Sequence, residues 1–378
     1  MRTAITELLG IDIPILAFSH CRDVVAAVTK AGGMGVLGAV AHSPEQLEID
    51  LAWIEAEVGP LPYGIDVIVP AKYAGSESGG YTLDDIRALI PAEHIAFVND
   101  ILARYDVPPL AEEPDRAASG SVAAPFSEGQ ADTLLEVALA HAPTLVVNAL
   151  GPPPGHMIDR VKEQGRLLGA LAGKAQHAER HRNAGADVVI AQGSEAGGHT
   201  GEVGSLVLIP EIVDAVAPLP VLGAGGIGRG RQMAAAMALG AQGVWCGSVW
   251  LTTIEAETHP VVKEKFLAAT SSDTVRSRSR TGKPARQLRT AWTDEWADPA
   301  TPQPLGMPLQ PILVDEAIRR IDHAAFKQGS GAAQLANYYV GQVVGQMNEI
   351  KPAARVVFEM VDELIEAVQG LAAVLDAD

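Results

Sequence analysis

Residues 220–251 read PVLGAGGIGRGRQMAAAMALGAQGVWCGSVWL. An apolar run (220–224) leads into clustered glycines, then a segment of helical spacing (228–240), then a second apolar run, GVWCG (243–247). Both runs lack polar alternation, the pattern of parallel strands covered on both faces. Gly240, just past the helical segment, is a usual helix stop. The stretch is one strand–helix–strand unit, and its repetition decides the fold.

The same alternation fills most of the first 250 residues. Strands are expected at IPILA (13–17), GVLGA (35–39), YGIDVIV (63–69), TLVVNAL (144–150), LLGALA (167–172) and DVVIAQ (187–192), ahead of the two runs above. Between them CRDVVAAVTKAG (21–32), SPEQLEIDLAWIEAEV (43–58) and GKAQHAERHRNAG (173–185) carry helical spacing. The second opens with Ser43 as N-cap, Pro44 at N1 and Gln46 at N3. Eight such repeats point to an α/β protein of the (β/α)8 TIM-barrel class.

Two stretches break the repeat. Residues 70–130 hold AGSESGGYT, VPPLAEEP and ASGSVAAPFSEG, a Pro/Gly/Ser-rich insertion between strands three and four. Residues 255–330 follow strand eight as an accessory or lid segment, leaving 1–254 as the barrel. A C-terminal helical segment, 331–378, is expected to pack back on the barrel through Val357, Met360, Leu364, Val368, Leu371 and Leu375.

Composition narrows the function. The 378 residues are 48% hydrophobic and 20% charged, with a formal net charge of −18. That charge argues against nucleic acid or an anionic membrane as partner. One basic run, RSRSRTGKPARQLR (276–289), is local; it suits either one anionic group of a ligand or structural pairing. Two cysteines, Cys21 and Cys246, show neither disulfide-framework nor metal spacing. No signal-peptide layout and no membrane-length apolar stretch are seen, so a cytoplasmic protein is expected.

In this fold, phosphate binds at the loops after strands seven and eight. Gly225 and Gly226 follow strand seven, and Gly247 and Ser248 follow strand eight. Glycines admit an anion to backbone N–H groups, and a helix N-terminus adds its dipole. GAGGIG fits the dinucleotide fingerprint poorly, so a mononucleotide is the better expectation. After strand six comes AQGSEAGGHTGEVGS (191–205). Gln192 offers a donor and an acceptor to the edge of a flat ring, and the glycines leave room beside His199. A histidine there can take a proton from carbon; it can equally cap a helix or face water, and Glu195 and His199 do not form a metal pair.

With these motifs in place, AQGSEAGGHTG, GAGGIGRGRQMAAAMALGAQGVWCGSVWL, TGKPARQLR and AVTKAGGMGVLGA (27–39) together resemble the nitronate monooxygenase family. The resemblance implies an FMN-containing barrel that turns over small molecules with dioxygen. It implies a catalytic role for His199, and flavin or phosphate contacts at Gln192, Gly193, Gly198, Gly225, Gly226, Gly247 and Ser248. Lys174 falls where a side chain can neutralise the pyrimidine end of the flavin. Two departures stand out. The first strand ends LAFSH rather than Ala-Pro-Met, giving Ala17 and Phe18 as flavin wall and His20 as a second acid/base candidate. Asp66 stands where the family often has Asn. The GGHTGE form also occurs in FMN-dependent enoyl-thioester reductases. An NAD(P)H-dependent enoyl-thioester or quinone reductase is therefore the alternative, with a homodimer left open.

Overall fold

The computed structural model describes residues 1–69, 83–110, 128–149, 151–327 and 329–375. Eight parallel strands close into a barrel: β1 (Ile15–Ser19), β2 (Met34–Gly38), β3 (Gly64–Val67), β4 (Leu145–Asn148), β5 (Leu167–Ala172), β6 (Val188–Gln192), β7 (Val221–Ala224) and β8 (Gly243–Cys246). Closure is made by β1 against β8, with Ala17 opposite Cys246. The TIM-barrel expectation holds.

Alternate residues of each strand enter two different apolar layers, which is why the strands show no polar alternation. Leu16, Val36, Val147, Ile190 and Leu222 pack with Ile5 and Leu9 of the N-terminal helix in one core. Their neighbours Ile15, Ala17, Val189, Val221 and Val244 face outward into the layer beneath the surrounding helices. Each barrel strand is therefore buried on both sides.

A second core lies over the C-terminal ends of the strands. It joins Phe266, Trp292, Trp296, Val314 and Ile321 to Phe97, Ile101 and Leu102 of helix Ala92–Arg104. That helix belongs to the 70–130 stretch and was not legible as helix. Phe97 meets Trp296 edge-on at 5.0 Å, and Arg104 grips Glu295 with two bonds of 2.6 and 2.7 Å. The stretch AGSESGGYT and most of ASGSVAAPFSEG lie outside the described residues. Residues 332–347 also pack in this core, so the cap over the barrel mouth is built from chain on both sides of strands β4 to β8.

Helix Ala353–Leu375 returns to the barrel wall. Val357, Met360 and Leu364 are buried there, whereas Val368, Leu371 and Leu375 are exposed. Docking is close: a Cβ on Gly230, at the start of helix Gly230–Ala238, would lie 2.0 Å from the Met360 carbonyl. Glu363 accepts from the Gly230 N–H at 2.9 Å and from Arg229 Nε at 2.6 Å. Among the described residues, no helix is long and apolar enough to cross a membrane.

The Gly230 contact gives a stability test. Gly230→Ala is expected to cost about 1–3 kcal/mol through overpacking, with the 353–375 helix becoming more accessible to limited proteolysis. An unchanged melting temperature and cleavage pattern would show that this contact does not hold the helix.

Candidate active site

A cavity of about 580 Å³ lies between the strand ends and the cap. Phe18, His20, Asp66, Gln192, Gly198, His199, Gly225, Gly226, Gly247 and Ser248 all line it. Three expected residues do not. Ala17 is buried in the barrel wall. Gly193 sits behind the surface, donating its N–H to the Ala224 carbonyl; a Cβ there would press on Glu195 and Ser205. Lys174 is an exposed, extended residue preceding helix Ala175–Ala184, turned to solvent rather than to the cavity.

Gly225 and Gly226 adopt φ of +96° and +70°, the left-handed region that favours glycine. The backbone N–H groups of Gly225, Gly226, Gly247 and Ser248 are not taken up by protein carbonyls. The Ser248 hydroxyl accepts from the Gly341 N–H at 2.8 Å, which leaves its own proton to donate. This donor set, without a lysine or arginine, suits a phosphate held mainly by backbone.

At the opposite side stand Phe18, His20 and Asp66. Phe18 stacks on Trp245 with ring centroids 5.9 Å apart and meets His20 edge-on. The His20 Nδ1 lies 2.8 Å from the Gly38 carbonyl and must donate to it, leaving Nε2 as the lone pair. Burial lowers the His20 pKa, so the ring is neutral. Asp66 is 4% exposed, and burial pushes its carboxyl well above the usual range. Among the described residues no side-chain hydrogen bond reaches that carboxyl or the Gln192 amide, which leaves both for a ligand.

The loop carrying His199 is not slack. Gly198–His199 forms a short strand that pairs antiparallel with Ala285–Leu288, placing His199 opposite Ala285 and Gly198 opposite Arg286. Strand Ala285–Leu288 in turn pairs with Thr274–Ser277, so the basic run is a hairpin of the cap. Its arginines grip backbone. Arg286 donates to the Ser194 carbonyl at 2.9 and 3.0 Å, Arg276 to that of Thr200 at 3.3 Å, and Arg278 to that of Gly282 at 2.8 Å. Glu195 accepts from the Ser205 N–H and hydroxyl, capping helix Ser205–Val216 from inside the same loop.

Thr281, which the motif search did not single out as a site residue, completes the constellation. Its hydroxyl donates to the Lys283 carbonyl at 3.2 Å and lies 2.8 Å from His199 Nε2. The Nε2 contact anchors the ring by one edge and leaves Nδ1 on the other. The accessible face of the ring looks into the cavity. Loss of hydration there, with Lys283 nearby, lowers the His199 pKa to about 4. The signal for Thr281 was present in TGKPARQLR, but only tertiary contact shows which of its residues meets the histidine.

Comparison with known proteins agrees with this geometry. The nitronate monooxygenase family model matches residues 2–363. A putative monooxygenase of Mycobacterium tuberculosis is 59% identical, covering 98% of this chain and 99% of its own length. A probable nitronate monooxygenase of Staphylococcus saprophyticus is 30% identical over 90% of this chain and 92% of its own. Among solved structures, nitroalkane oxidase from Streptomyces ansochromogenes superposes with a TM-score of 0.78 at 28% identity, covering 98% of this chain and 100% of the other. FabK from Thermotoga maritima gives 0.71 at 28% identity, covering 99% of each. The family model spans nearly the whole chain: the protein belongs to the nitronate monooxygenase family and is an oxidoreductase on a (β/α)8 barrel.

Proposed function

We propose that this enzyme is an FMN-dependent nitronate monooxygenase that oxidises alkyl nitronates with dioxygen. The observation that carries the reading is His199, an imidazole of lowered pKa that lines the cavity and is anchored through Nε2 on Thr281. The residues present fit the cofactor. The N–H groups at 225, 226, 247 and 248 would hold its phosphate, and Gln192 and the buried Asp66 would hydrogen-bond the polar edges of its ring. At Gly198, with φ of +75°, a Cβ would meet nothing within 4 Å, so the backbone there borders open cavity. When bound, the flavin supplies the electron acceptor for the substrate and the route from substrate to dioxygen.

The protein's own part is acid–base and electrostatic. His199 takes the α-proton of a neutral nitroalkane, which converts that carbon acid to the nitronate. Lys283 is the one Lys or Arg among the described lining residues, and its charge favours the nitronate anion over the neutral acid. A substrate that arrives as nitronate needs no base. The apolar cap excludes water around these groups, which strengthens each interaction.

An NAD(P)H-dependent enoyl-thioester or quinone reductase would need cationic anchors for a pyrophosphate or 2′-phosphate. Arg276, Arg278 and Arg286 of the basic run are instead committed to backbone carbonyls, Arg280 to Asn337 and Arg289 to the Asp294 carboxylate. This supports the monooxygenase reading over the reductase one.

Three measurements test it. The purified protein is expected to show a flavin spectrum that ethyl nitronate bleaches anaerobically without nicotinamide; bleaching by NADH or NADPH alone would favour the reductase. His199→Asn should lower turnover of neutral nitroalkane by about 10²–10⁴-fold, while preformed nitronate is still oxidised with retained flavin. Equal loss on both substrates would remove the base role. For nitroalkane, protonation of His199 abolishes the base, so kcat/KM should fall only as pH drops through about 4. Lys283→Met removes a neighbouring like charge, so that acid limb should move to higher pH.

A further inference from the structure

Residues 338–342 touch three parts of the molecule at once. On one side they join the hairpin of the cap: Tyr339 bridges antiparallel to Gln287, and the Tyr338 carbonyl accepts from the Leu288 N–H at 3.1 Å. On another they meet the loop that carries His199. The Gln342 N–H donates to the Glu195 carbonyl at 2.9 Å. A Cβ on Gly341 would stand 2.6 Å from that same oxygen and 3.0 Å from the Gly197 nitrogen. Backbone lies directly on backbone here, so a displacement of the segment carries the loop with it.

The third contact is at the barrel rim. The Gly341 N–H donates to the Ser248 hydroxyl at 2.8 Å. Among the described residues this is the only side-chain hydrogen bond between the segment and the loop after β8. Ser248 also lines the cavity, beside Gly247 and its untaken N–H. A hydroxyl has one proton and two lone pairs. Gly341 uses a lone pair, and no protein acceptor among the described residues takes the proton. Ser248 therefore offers its donor to a ligand and its acceptor to the cap.

Those two roles are coupled. Donation from Ser248 to an anionic oxygen raises the negative charge on the hydroxyl oxygen, which strengthens its acceptance from the Gly341 N–H. Donation also fixes the hydroxyl rotor with a lone pair toward Gly341. The path from there to the base is short. Gly341 lies against Gly197, and His199 follows two residues on.

We propose that Ser248 is a positioning residue for His199: it transmits occupancy of the anion subsite on the rim, through Gly341 and the 338–342 segment, to the loop that carries the base. Naming that anion as the phosphate of FMN rests on the function proposed above; the contacts that form the link do not. Without the anion, the loop keeps its pairing with the hairpin, but the 338–342 segment is held less firmly to the rim.

The test compares the apoprotein, the FMN complex and the riboflavin complex by hydrogen–deuterium exchange, each flavin at saturation. Riboflavin carries the same ring and ribityl chain without the phosphate. FMN is expected to slow exchange in 195–203 and 339–343 about fivefold or more beyond riboflavin, the low end of typical coupling between two sites. Ser248→Thr, which keeps a hydroxyl, should preserve that difference. Ser248→Ala should abolish it while FMN stays bound through the backbone N–H groups. A merely structural Ser248–Gly341 bond would change exchange equally in all three states, so the FMN-specific part is the diagnostic. Equal protection by the two flavins in the unaltered protein, or an FMN effect that survives in Ser248→Ala, overturns the proposal. Should riboflavin fail to bind, the difference between FMN complex and apoprotein in the two variants decides in the same way. Uptake of neither flavin overturns the FMN reading and the proposal with it; tight FMN binding without FMN-specific protection overturns the proposal alone.

Discussion

Two residue pairs of antiparallel ladder hold the site together. Gly198–His199 docks on Arg286 and Ala285 of the cap hairpin, and by doing so ties the loop after β6 to chain that follows the barrel. Without that pairing, a segment with five glycines in fifteen residues would sample many backbone states, and a general base on it would be out of place most of the time. The pairing fixes the backbone, Thr281 anchors the imidazole, and Arg286 and Arg276 hold the neighbouring carbonyls. Further along, Gly197 lets the 340–341 backbone approach so closely that a Cβ would meet Gly341 N at 2.9 Å. The loop is clamped from two parts of the cap.

This arrangement also explains the charge of the pocket. A chain of net charge −18 carries a dense basic run, yet its arginines do not pair chiefly with carboxylates or await a polyanion. They neutralise the carbonyl dipoles of a glycine loop that has few side chains to satisfy them. Lys283 remains as the positive charge at the cavity, beside a histidine whose pKa is lowered by desolvation at the cavity wall and by that charge. At the other end, Asp66 and His20 are likewise pushed toward neutrality by burial. The floor is polar in hydrogen-bonding capacity and nearly uncharged, an environment suited to a flat, neutral, polar-edged ring.

The barrel was legible because its determinants are local. Each strand is a short apolar run ended by glycine or a capped helix, and all eight expected strands appear, none with a boundary shifted by more than two residues. Ser43 caps its helix as read, accepting from the Gln46 N–H at 3.2 Å. The helix at Ala92–Arg104 was not legible, because it lies between Pro/Gly-rich stretches and its apolar face is paired with residues nearly 200 positions away. Lys174 shows the opposite error. Its place after β5 suggested a cavity position, but the extended backbone at the helix start turns it to solvent. Glu195 reaches the N-terminus of helix Ser205–Val216 by folding back through the loop, a contact that no local spacing announces.

By itself the sequence determined the strand–helix repeat, the glycines at the rim and the presence of a histidine among them, since periodicity and backbone freedom are properties of neighbouring residues. Only the tertiary structure decided that the basic run is a hairpin, that Thr281 anchors the histidine, and that the cap presents an apolar wall. Those features arise where segments distant in sequence meet, and hydrogen-bond partners and buried surfaces are chosen by that meeting rather than by local spacing.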